Sequence, residues 1–101
     1  MEQRPLNSAS VALVVQSDAI ERLRMAAMLR RGGFDVVEAV DANEAIRVLT
    51  SRVVDVLFSD IDLYGDMDGI ELADWVRRHQ PNTSVVLTHD DRPHAGKSPS
   101  R

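Results

Sequence analysis

Short apolar runs alternate along this chain with segments whose apolar residues recur every three or four positions. Val11-Ala-Leu-Val-Val15 is continuous and rich in β-branched residues, which predicts a strand buried on both faces. From Ala19 to Arg31 good helix formers dominate, with Met25, Met28 and Leu29 at i, i+3, i+4 spacing, and Gly32-Gly33 supplies the stop. Strand character returns from Phe34 to Ala39. Ala42, Ala45, Ile46 and Leu49 then share one helical face and precede a third apolar run, Val53 to Phe58. An acidic, Gly-containing loop covers Asp60 to Met67. Beyond it, Asp68 and Glu71 have the spacing of a capping box, and Leu72, Trp75, Val76 and His79 give a third helical face. Pro81-Asn82 breaks that helix, and Ser84-Val-Val-Leu-Thr88 is the fourth strand. The order β-α-β-α-β-α-β predicts right-handed crossovers and a parallel sheet with helices on both faces. Residues 1–10 are polar and expected to be a flexible N-terminal segment. Residues 90–101, polar and broken by two prolines, are expected to form a disordered tail, which leaves one domain over 11–89.

Composition narrows the function classes. With 101 residues, 44% of them hydrophobic, the chain has material for one core. A formal charge of −4 gives no electrostatic footprint for nucleic acid or an anionic membrane surface, so neither is an expected partner. Without cysteine there is no disulfide framework and no Cys-based zinc site. No apolar run is long enough to span a bilayer, and a cytoplasmic location is the expectation.

In an open parallel sheet, ligands gather outside the carboxyl ends of the strands, where the strand order reverses. The polar groups of this sequence fall there. The first strand ends in Gln16-Ser17-Asp18, the third in Ser59-Asp60-Ile61-Asp62, and the fourth in Thr88. A carboxylate such as that of Asp60, held at the tip of a buried strand, can attack a phosphoryl group and form an acyl phosphate. Such a transfer needs charge cancelled over the phosphoryl oxygens, usually by Mg²⁺ on one or two carboxylates and by a hydroxyl or ammonium donor. Thr88 supplies a hydroxyl. Asp60 and Asp62 also have the spacing of a nucleophile and its acid/base partner, the pattern of an aspartyl phosphohydrolase. However, there are no further acidic motifs here to build a substrate site.

Asp60-Ile-Asp-Leu-Tyr-Gly-Asp-Met-Asp-Gly69 resembles the phosphoacceptor loop and Met-Asp-Gly turn of the response regulator receiver domains of two-component signalling, in the variant that is one residue longer than the commonest form. Leu87-Thr88 is similar to the family's Thr/Ser switch position, and Gly33-Phe34-Asp-Val-Val-Glu-Ala39 to its second-strand signature. The resemblance spans Val11 to His89. It implies a flavodoxin-like α/β fold, here with strand order 2-1-3-4 and without the family's last strand and the helices on either side of it. It further implies a phosphorelay module, not itself an enzyme, that accepts a phosphoryl group on Asp60 from a histidine kinase, uses Thr88 as the switch, and acts through protein–protein contacts.

The sequence also departs from the family. The acidic pair that normally holds Mg²⁺ falls on Gln16 and Ser17, both uncharged. Asp60, Asp18 and Asp62 remain the candidate metal ligands, and the expectation is weak Mg²⁺ binding or none. Tyr64 stands where the loop usually has proline, and His89 stands where a small residue usually follows the switch Thr, so its imidazole is expected to crowd the pocket. Lys97 is too close to Thr88 to be the family's lysine. These departures open a second reading, a pseudo-receiver that binds or inhibits a kinase or regulator without phosphorylation. With the fourth strand at the sheet edge, a homodimer or a partner's strand is expected to cover it. Arg22, Arg24, Arg30 and Arg31 read as a solvated helix face.

Overall fold

β-Branched residues favour extended backbone, and Val11–Val15 (β1) is buried at every position, as a central strand covered on both faces must be. The computed structural model describes residues 9–89. The expected tail 90–101 and all but the last two residues of the expected flexible segment 1–10 lie outside the described residues. Within them the elements run β1, α1 (Ala19–Arg31), β2 (Asp35–Ala39), α2 (Ala42–Ser51), β3 (Val56–Asp60), α3 (Gly69–His79) and β4 (Ser84–Thr88). All strand pairs are parallel, and the order is β2-β1-β3-β4. The parallel sheet is what the alternation of periods predicts, and the flavodoxin-like order is the one that the family resemblance implies.

The sheet separates two apolar layers. On one face Met25, Ala26 and Leu29 of α1 meet Ala12, Val14, Val36 and Phe58. On the other, α2 and α3 place Ala45, Leu49, Leu72 and Val76 against Leu13, Val15 and Leu57. A fully buried aliphatic side chain of this kind contributes about 2 kcal/mol. The helix ends follow the sequence signals. Asp68 and Glu71 form a reciprocal capping box on α3. After α1, Gly33 takes a φ of 98°, which lets the chain reverse while the Phe34 amide donates to the Leu29 carbonyl.

Three local expectations shift. Met28 lies 58% exposed; the buried face of α1 runs through Met25, Ala26 and Leu29, and Met28 is rotated about 100° from Leu29. β3 begins at Val56, later than the apolar run at Val53; just before it the Asp55 carboxylate accepts from the Val11 amide at 2.7 Å and the Asp55 amide donates to the Val11 carbonyl. At its far end the strand includes Asp60, paired with Thr88. β4 is only partly covered: Val85 packs on the core, and Val86 on the opposite face is 41% exposed.

Candidate functional site

The carboxyl ends of β1, β3 and β4 converge on Asp60. In the β3–β4 register Asp60 stands opposite Thr88. In the β1–β3 register Val15 stands opposite Ser59, which brings Gln16 beside Asp60 one step further on. The Ile61 amide donates to the Thr88 carbonyl at 2.9 Å, and the Thr88 hydroxyl donates to the Ser59 carbonyl at 3.3 Å. Asp60 itself is 1% exposed, with Oδ1 sealed from solvent. Sheet ladders therefore fix the carboxylate from both sides, and Thr88 is brought to it by register alone. In this conformation the Thr88 hydroxyl points to the Ser59 carbonyl.

The segment after β1 is tied down residue by residue. Gln16 is buried; its Oε1 accepts from the Asp18 amide at 3.1 Å, and its carbonyl accepts from the Arg22 guanidinium at 2.9 Å. The Ser17 hydroxyl donates to the Val40 carbonyl at 2.8 Å and accepts from the Tyr64 amide at 3.0 Å. Asp18 is the N-cap of α1, its Oδ1 accepting from the Ile20 amide at 3.2 Å. Asp62 Oδ2 lies 3.8 Å from His89 Nδ1, so these two side chains face one another. Asp66 is exposed in the loop, and His79 stacks on Trp75 with ring centroids 4.4 Å apart.

Beside Asp60 this donor set offers a Mg²⁺ ion less charge than the family's acidic pair would. A Mg²⁺ site demands near-octahedral oxygen geometry built on one or two carboxylates. Gln16 and Ser17 bring no charge, and their side-chain oxygens already accept hydrogen bonds. Asp18 is drawn toward the α1 amides, and Asp62 faces His89. Among the described residues no group of three or more His, Cys, Asp or Glu side chains is arranged to hold a metal ion. The register unites Asp60, Thr88 and Gln16; Asp18 and Asp62 are not brought into one cluster with Asp60.

The model of the response regulator receiver domain matches residues 12–97. The chain belongs to that family. Among solved structures, the signal receiver domain of an HD-domain-containing protein from Pseudomonas fluorescens is similar with a TM-score of 0.77 and 28% identity, over 84% of this chain and 67% of that one. The response regulator protein TrrA from Thermotoga maritima, solved in complex with Mg²⁺-BeF, shares the receiver fold with a TM-score of 0.75 at 24% identity, over 79% of this chain and 69% of that one. A cyclic di-GMP phosphodiesterase of Thermotoga maritima is 36% identical over 81 residues, which are 78% of this chain and 21% of the relative. The receiver thus spans about a fifth of that relative, whose phosphodiesterase activity is a property of the whole protein. Receiver domains are in general signalling modules without enzymatic activity of their own, and they interact with histidine kinases and other two-component proteins. No described helix of this receiver is long and apolar enough to cross a membrane.

Two positioning residues of this receiver escaped the sequence reading. Arg22, read as part of a solvated face, instead reaches back to the Gln16 carbonyl, and its Nε lies 3.5 Å from Glu38 on β2. Arg30 approaches the same Glu38 at 3.3 Å, so two of the four arginines fasten α1 to β2. Ser17 is the other, because its partners are 23 and 47 residues away. The Asp18 cap did have a local signal, an aspartate immediately before a run of helix formers.

Proposed function

We propose that this receiver works as a protein-contact module of two-component signalling, in the cytosol, engaging a histidine kinase or another two-component protein in its unphosphorylated form. The observation that carries this reading is the state of the two positions beside Asp60. Gln16 and Ser17 supply no charge to offset a phosphoryl group, and their oxygens are engaged with protein amides. Phosphoryl transfer depends mostly on such charge cancellation. Self-association through β4 is part of the proposal: among the described residues β4 is an edge of the sheet, and its Val86 is exposed.

The second reading is phosphoryl acceptance on Asp60 with Thr88 as the switch, and the register that sets Asp60 opposite Thr88 favours it. Incubation of the full chain with acetyl phosphate and Mg²⁺, followed by intact-mass measurement, separates the two. The expected result is no mass gain. A gain of one phosphoryl group that disappears in Asp60→Asn would remove the first reading and establish the second.

A further inference from the structure

Three loops meet at the carboxyl edge of the sheet: residues 16–18 after β1, residues 40–41 after β2, and residues 61–68 after β3. A hydroxyl has one proton to give and lone pairs to accept with. Ser17 uses both functions between loops, donating to the Val40 carbonyl and accepting from the Tyr64 amide. Neither partner is local in sequence, so each bond fixes one loop against another. The Tyr64 side chain is 56% exposed, and Gly65 follows it with a φ of 101°. On either side the loop is anchored by buried Leu63 and by the Asp68 cap of α3.

The Val40 bond needs a proton donor, which an ionised carboxylate at position 17 could not supply. We propose that Ser17 is a positioning residue that clasps the three loops, fixing the loop beside Asp60 without any metal ion. The clasp deepens the phosphorylation-independent reading and rests on it for its meaning in signalling. It keeps Val40 and Tyr64, 38% and 56% exposed, in a constant arrangement at the rim of the pocket, so the surface offered to a partner does not wait on Mg²⁺.

Amide hydrogen exchange read by NMR on the full chain tests this. The variants are Ser17→Ala and Ser17→Thr, which keeps the hydroxyl, each with and without Mg²⁺, and the Leu57 amide is the control for global folding. Removing one net hydrogen bond should speed exchange of the Tyr64 amide by roughly three- to tenfold in Ser17→Ala. Exchange at Leu57 should speed by no more than the same factor, Ser17→Thr should keep the protection, and Mg²⁺ should alter none of these rates in the wild type. Unchanged Tyr64 exchange in Ser17→Ala, or Mg²⁺-dependent protection of Tyr64 in the wild type, would overturn the clasp. The outcome is separable from the function proposed above. A phosphoryl gain on Asp60 with the clasp result intact removes that reading alone, whereas an indifferent Tyr64 amide without phosphoryl gain removes only the clasp.

Discussion

Gly69→Ala is expected to destabilise this receiver by about 3 kcal/mol, the upper part of the usual range for overpacking. Gly69 opens α3 and is buried, and its amide donates to the Ile61 carbonyl at 2.9 Å. A Cβ built there overlaps the carbonyl oxygen of Asp60 and stands 2.9 Å from both the Asp60 carbonyl carbon and the Ile61 Cα. All three are backbone atoms, so no side chain can rotate aside. Either α3 lifts from the sheet or the end of β3 moves, and the second choice displaces Asp60 itself. The space left by the missing side chain is thus what lets the loop return close under the pocket. Urea unfolding of wild type and variant, compared at a shared m-value, gives the difference. A change below about 0.5 kcal/mol, the scatter of neutral surface substitutions, would show that the end of β3 is free to give way.

Leu57→Ala is expected to cost about 4 kcal/mol, within the range measured for leucines in closed cores. Leu57 has no exposed surface and lies on a central strand, opposite Leu13 on β1 and Val85 on β4. Its layer also holds Leu49, Leu72 and Val76 from α2 and α3. Neighbours on both sides are fixed by sheet hydrogen bonds, so the space left by the side chain cannot close by a small shift. Domains of ordinary stability hold about 5–15 kcal/mol in reserve, so this single change removes a large part of it. The same urea titration reads the effect, and a loss under about 2 kcal/mol would mean that the layer between the sheet and α2–α3 is loosely packed.

What could be read from the sequence is what depends on near neighbours in the chain. The burial of β1 follows from an unbroken apolar run, the capping box of α3 from two residues three apart, and the reversal after α1 from Gly32-Gly33. The strand order was legible only through the family resemblance, because the handedness of the crossovers does not choose which edge each new strand joins. Asp60 and Thr88 were legible because both end strands, and parallel pairing sets strand ends side by side. Met28 was misplaced because α1 carries apolar residues on more than one side, Ile20 and Leu23 among the exposed ones, so spacing alone does not choose the buried face. The bonds of Ser17 and Arg22 were not legible at all. Those of Ser17 depend on where distant loops arrive in space, and the ion pair of Arg22 on where β2 sets Glu38, which no local pattern encodes. The neutral character of Gln16 and Ser17 was visible from the start; the structure adds that their oxygens are engaged.

The sharpest test of the proposed phosphorylation-independent reading is an amide proton–nitrogen NMR titration of the full chain with Mg²⁺ and beryllofluoride, the phosphoryl mimic held with Mg²⁺ in the TrrA complex. The expected result is a spectrum in which the Asp60, Ile61 and Thr88 amides stay in place across the titration. Saturable shifts at these three amides, absent in Asp60→Asn, would contradict it and mark the receiver as a phosphoryl-accepting one.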